Sequence, residues 1–445
     1  MKFQLKFFAL PLVFILIVAI VVGCGCKAED EDGKFSSKDK INLTYWRLFD
    51  DRDTIQPIID EYQKKNKNIT ITYKKFSYED YERQAIDELA AGKGPDIWMI
   101  QNDWLPRHKD KLTPMPEEMM NTETYRTTFV DVATDDLVDD NRIYGIPLTV
   151  DSLALFWNKD LFNKAGISQP PATWDDLIKD VSRLTKTRGN TVNQSAMALG
   201  TATNVSSAAN ILSWLMMQNG ATMIDEAKNQ AIFNARHKTE DGQAYYPGIS
   251  ALEFYTSFAD PAKQTYSWNS SMLNSIDAFL NSKAAMVLAP SFQVKMLQVK
   301  SQSKTPKLQF DVAPAPQIKD GITVNAATYF AEVVSKNCEN PDAAWDFLTF
   351  LSDKENMQKY HEATQRPPSR KDLVEGFANE QYYGVFSVQA PSAKSFYKVD
   401  SNGVDRIFVE MITSVNNGEK AKDAIDKAAS EITKLMSGQK AGGEE

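Results

Sequence analysis

Histidine and cysteine are scarce in this 445-residue chain, which has three of each. His108, His237 and His361 stand far apart, with no HExxH spacing, and the cysteines offer no CxxC pair. A zinc site therefore has no ligand set to draw on. A phosphate loop of the GxxxxGK[ST] form is also missing, since Gly92-Lys93-Gly94-Pro95 lacks that spacing, and there is no GxSxG elbow. Basic residues are in the minority, 50 Lys plus Arg against 59 Asp plus Glu, for a net charge of −9. That balance argues against a nucleic-acid partner, because phosphate backbones require clustered cations. The acidic runs Asp50-Asp51-Arg52-Asp53 and Asp135 to Asp140 lack the ligand spacing and glycine of a calcium loop and read as solvated faces. A glycosidase would need two carboxylates across a cleft, and no motif selects such a pair.

One long apolar run is present, and it stands at the start. Met1 to Lys6 carries two lysines and no acid, and Phe7 to Gly23 is unbroken FFALPLVFILIVAIVVG. A positive head, an apolar centre and a small-residue exit form a secretory signal peptide over residues 1–23. The exit Val21-Val22-Gly23-Cys24 resembles a bacterial lipobox, which makes Cys24 the lipidation candidate and residues 24–40 a flexible tether. The competing reading is an uncleaved N-terminal membrane helix. Either way the bulk of the chain lies outside the cytoplasm. Cleavage before Cys24 removes Lys2 and Lys6 and leaves 48 basic against 59 acidic residues, a net charge of −11. No structural disulfide is expected, and Cys338 reads as an inert small residue.

From Ile41 the pattern becomes periodic. INLTYWRLF is a β-rich run, and Ile55, Ile58, Ile59 and Tyr62 mark one helical face. Ile69, Ile71 and Tyr73 alternate as in a strand, Asp80 to Ala91 reads as a helix stopped by Gly92, and Asp96 to Ile100 is a third strand. Strand, helix, strand, helix, strand is the rhythm of an α/β fold with parallel strands. Further helices are expected at Thr173 to Thr185, Ala208 to Gln218, from Pro341, and at Ala421 to Leu435, with a buried strand at Ala285 to Leu288. About 400 residues of this pattern without a long linker suggest two lobes interleaved in sequence.

Specific strings then point to a family. Gly92 to Ile97 resembles its AxGxxPDI signature. Tyr144-Gly145-Ile146-Pro147 with Leu155 to Phe162 resembles YGIP…LxYNKDLF, and Pro171 to Leu177 resembles P-x-T-W-x-E-L. Ala284-Ala285-Met286 with Pro290-Ser291-Phe292, and Val334 to Leu348, resemble two later segments. Together they are similar to family 1 extracellular solute-binding proteins, the maltose-binding-protein-like capturing subunits of ABC importers. The resemblance implies a two-lobed periplasmic-binding-protein fold with a hinge, lobes of 41–148 plus 285–338 and of 149–284 plus 339–440, and ligand held in the cleft between them. It implies a monomer that performs no reaction, needs no cofactor, takes up a sugar or oligosaccharide and docks on permease subunits. A polyamine, glycerol phosphate or metal chelate is the alternative cargo, and a secreted glycoside hydrolase the rival activity.

Ligands of open α/β sheets bind beyond the carboxyl ends of strands. That rule puts Arg47 and Phe49, and then Asn102, Asp103 and Trp104, at the cleft. Carboxylate and amide groups suit sugar hydroxyls, and aromatic faces suit the C–H faces of the rings. By family position Asp151 matches an acidic sugar ligand, and Asn210 and Trp214 open a helix where relatives place contacts. Ser291 and Phe292 stand where many relatives have a stacking Trp, Tyr329 sits near a Gly-rich or Trp segment, and Arg366 lies in a cleft-edge loop where it could fork two ligand oxygens. Trp98, Trp174 and Trp345 are assigned to packing.

Overall fold

Alternating apolar residues build the first sheet. Ile41, Leu43 and Tyr45 are buried in the strand Ile41–Leu48, which pairs in parallel with Ile69–Phe76. The helix Arg52–Lys65 joins them and buries Ile55, Ile58, Ile59 and Tyr62 against the sheet. Helix Tyr81–Ala90 ends at Gly92, whose φ of 69° fits its role as a left-handed stop. The computed structural model describes residues 40–189, 191–238 and 242–438. The expected leader, the tether up to residue 39 and the lipidation candidate Cys24 lie outside the described residues.

The first sheet runs in the order Ile69–Phe76, Ile41–Leu48, Ile97–Gln101, Phe330–Val334, Ile146–Pro147, with Phe330–Val334 antiparallel to both of its neighbours and the other four strands parallel in direction. The second runs Phe310–Ala313, Ala154–Asn158, Ala284–Ala289, Thr191–Met197, Lys186–Arg188. A small third sheet, Ala393–Lys394, Asn325–Thr328 and Asp151–Ser152, forms where the chain passes from one lobe to the other. Mixed sheets flanked by helices make both lobes α/β.

The lobes divide at points other than the expected ones. Ala284–Ala289 pairs with Ala154–Asn158, with Met286 opposite Trp157, and so belongs to the second sheet. All six of its residues are buried, and an unbroken apolar strand fits the centre of either sheet. The chain re-enters the first lobe only at Phe330. Helices Pro341–Leu351 and Lys354–Thr364, expected in the second lobe, pack on the first, where Trp345, Phe347, Leu348 and Tyr360 share a core with Ile55, Ile58 and Tyr62. Helices Ser401–Asn416 and Ala421–Met436 then lie on the second lobe's core. Among the described residues no helix is long and apolar enough to cross a membrane.

Candidate functional site

The first strand delivers its last residues to the seam between the lobes. Arg47 is fully buried there and would be costly without anionic partners. Its Nε lies 3.1 Å from Glu332 Oε1 and its Nη1 3.2 Å from Asp50 Oδ2. Its Nη2 donates to the Tyr360 hydroxyl at 3.2 Å, and that hydroxyl donates to Asp50 at 2.7 Å. Arg366 reaches the other oxygen of Asp50 at 3.0 Å, and its guanidinium lies 5.5 Å from the centre of the Phe49 ring. Burial pushes the Glu332 carboxyl up to about 7, against the pull of Arg47.

Asp151 opens the hinge strand and ties the hinge to the second lobe. Its carboxylate accepts from the amide of Ser291 at 3.0 and 3.1 Å, from the Ser291 hydroxyl at 2.6 Å and from its neighbour's amide at 2.8 Å. Burial raises it to about 6, and the Ser291 bonds hold it below where burial alone would put it. Phe292 follows as the first residue of the helix Phe292–Ser301, with 60% of its surface exposed.

These groups enclose one chamber of ≈ 100 Å³ between the lobes. Arg47, Phe49, Asp151, Ser291, Phe292, Tyr329 and Arg366 all line it, together with Met99, Thr328 and Phe330. Asn102, Asp103 and Asn210 line a narrower space beside it. Asn102 donates to Asp136 at 2.9 Å, and Asp103 is ion-paired to Lys398 at 3.0 Å.

Two expected stacking faces lie elsewhere. Trp214 is completely buried, donates its indole N–H to the Val324 carbonyl at 2.7 Å and packs on Trp174. The helix Ala208–Gln218 is apolar nearly all round, so every face of it seeks the core. Trp104 is buried against His108 and Phe330. Tyr329 lines the chamber but turns its hydroxyl to Asp136 at 2.8 Å, so it presents no free ring face. The exposed aromatic surface at the seam is that of Phe49, Phe292 and Tyr78, the last stacked on Phe49 with ring centres 6.4 Å apart. Trp98, Trp174 and Trp345 are buried in packing.

Sequence reasoning missed Tyr78, Lys398, Asp50 and Tyr360. Tyr78 carries a usable signal, an aromatic just past the end of the second strand. Lys398 and Tyr360 acquire meaning through partners distant in the chain, whereas Asp50, read as part of a solvated acidic run, is buried between Arg47, three residues before it, and the remote Arg366. Among the described residues no group of acidic, His or Cys side chains could hold a metal ion.

Two α/β lobes, three crossings and a half-polar, half-aromatic chamber at the seam define a protein that captures a small molecule in a cleft. The chain belongs to the bacterial extracellular solute-binding protein family, whose sequence model matches residues 57–383. It is similar to a binding protein of Brucella abortus, 21% identical over 337 residues that cover 75% of this chain and 77% of the relative. It is also similar to the multiple sugar-binding protein of Streptococcus mutans, 22% identical over 356 residues, covering 76% and 78%. In fold it resembles the cyclic α-maltosyl-1,6-maltose binding protein of Arthrobacter globiformis, with a TM-score of 0.75 and 18% identity over 90% of this chain and all of that one.

Proposed function

We propose that this protein is the extracytoplasmic capturing subunit of an ABC importer and that its cargo is a sugar or oligosaccharide. One observation carries the reading: exposed rings of Phe49 and Phe292 flank the chamber that also holds Arg366 and Asp151. Rings for C–H faces beside charged groups for hydroxyls are what a carbohydrate needs. The sugar-binding names of the Streptococcus relative and the Arthrobacter structure support it. Arg47 and Arg366 share Asp50, and Arg47 also has Glu332, so their charge is compensated within the site, which weighs against glycerol phosphate. The protein performs no reaction. Asp151 is held by Ser291 and Asp50 by two arginines and Tyr360, which supports positioning roles over acid–base work. Ligand favours the closed state through its differential affinity for it, and the permease responds to closure.

A thermal-shift screen against sugars, polyols and sugar phosphates tests this. A true cargo at a hundred times its Kd adds about 2.7 kcal/mol of stability. A shift with phosphates or cations and none with carbohydrates would sink the assignment. We also assign a lipid anchor to Cys24, following the exit Val21-Val22-Gly23. Cys24→Ala is expected to abolish labelling with a radioactive fatty acid, and continued labelling refutes the assignment.

A further inference from the structure

Three spaces follow one another along the seam, and their walls are shared. Thr328 faces both the main chamber and the narrow space beside it. Asn102, Asp103, Ser395, Phe396 and Lys398 face both that narrow space and a recess of ≈ 590 Å³ beyond it. The narrow space measures ≈ 30 Å³, about two to three times what one water molecule requires, so no sugar ring enters it. The segment 394–398 walls both the narrow space and the recess.

That segment is pinned from both lobes. Lys398 is 6% exposed and Asp103 8%, with 3.0 Å between their charged atoms. Lys398 also binds Asp405 at 2.9 Å and lies 3.4 Å from Asn210 Oδ1, so its three donors have three partners. Ser395 donates to Asp136, which is anchored in turn by Asn102 and Tyr329. Arg107 pairs with Asp400 at 3.1 Å just beyond. Moving the segment aside would strand a buried charge on each side, which is strongly unfavourable. The main chamber, at ≈ 100 Å³, is also well below the roughly 300–1,000 Å³ of sites that enclose larger ligands.

Resting on the carbohydrate reading above, we infer that the Asp103–Lys398 pair and the segment it pins are a length stop. The cleft takes a mono- or disaccharide from the side of Phe49 and Phe292 and rejects longer chains at Lys398. Calorimetric titration with glucose, maltose, maltotriose and maltotetraose, and with matching galactose and mannose series, tests this. In whichever series binds, a mono- or disaccharide is expected to bind roughly tenfold or more tighter than the tetrasaccharide, because rings left outside the cleft add little contact while the stop opposes their entry. Asp103→Ser/Lys398→Ser, which removes both charges together, is expected to shrink that ratio to about threefold or less. Tetrasaccharide binding as tight as that of the shorter sugars in the unaltered protein overturns the length stop and leaves the carbohydrate reading standing, as does an unchanged ratio in a folded variant. If circular dichroism shows that the variant is unfolded, the ratio in the unaltered protein decides alone. Silence in every series overturns the carbohydrate reading, and the length stop falls with it.

Discussion

Phe49 holds a bulky ring at a φ of 68°, a backbone conformation that disfavours side chains by roughly 1–2 kcal/mol. The ring is 44% exposed, and its contacts with Phe330, Tyr78 and the Arg366 guanidinium are together of the same order as that cost. Strain combined with exposure at a cleft wall is the pattern of a residue kept for contact rather than for folding. Phe49→Gly is therefore expected to leave the melting temperature level or raised while weakening sugar binding. Phe49→Ala, which keeps the strain and loses the ring, should be the less stable of the two in thermal denaturation. A marked loss of stability in the glycine variant would show that the ring is structural. Trp214 is the reverse case. Its whole surface is buried, and truncation to Ala is expected to cost about 3–5 kcal/mol in denaturant titration whatever the ligand.

Elements bring together groups that no local pattern announces. Asp136, in the helix Asp131–Leu137, accepts from Asn102, Tyr329 and Ser395, and so joins the first lobe to the hinge segments. Burial raises its carboxyl from 3.8 to about 7, against the pull of those three bonds. A carboxyl with a raised pKa binds its proton more tightly in the folded chain. Its contribution is complete below the unfolded value near 4 and is lost as pH climbs through about 7. Glu332 and Asp151 act in the same direction, with values of about 7 and 6. Buried His361, lowered to about 3, opposes them below its ordinary 6.5. The melting temperature is thus expected to fall between pH 5 and 8, and Asp136→Asn to flatten that slope in part; equal slopes in the two proteins would refute the role given to Asp136. Strands and helices were largely legible in the sequence, because Ile69, Ile71 and Tyr73 alternate and Ile55, Ile58, Ile59 and Tyr62 recur at helical spacing. The lobe that owns Ala284–Ala289 was not legible, since a wholly apolar strand carries no mark of its sheet. The strand-end rule led to Arg47, Phe49 and Asp103. It could not tell that Asp103 faces Lys398, nor that Trp104 turns inward, because both depend on neighbours supplied from elsewhere in the chain.

The whole molecule is held at its seam by charge as well as by packing. Arg107–Asp400 at 3.1 Å and Lys228–Asp139 at 3.9 Å bridge the lobes in partly exposed positions, while Asp103–Lys398 is buried. Salt shortens the screening length from about 10 Å at 0.1 M to about 3 Å at 1 M and weakens the exposed pairs first. Solution scattering of the ligand-free protein is expected to show a radius of gyration rising from a compact value near 21 Å as salt is added. A radius that stays constant to 1 M would mean that these bridges do not govern closure. The order of strands in the first sheet also bears on how the protein is made. Ile97–Gln101 lies between Ile41–Leu48 and Phe330–Val334, so one of its edges stays bare until the chain has been built past residue 334. Synthesis at roughly 5–20 residues per second puts on the order of ten to fifty seconds between those two strands. A growing chain with an unfinished sheet edge for that long is open to pairing with other chains and accessible to factors that hold it unfolded. The timetable of assembly is thus written into the strand order, and the lobe made first is completed only by residues made late.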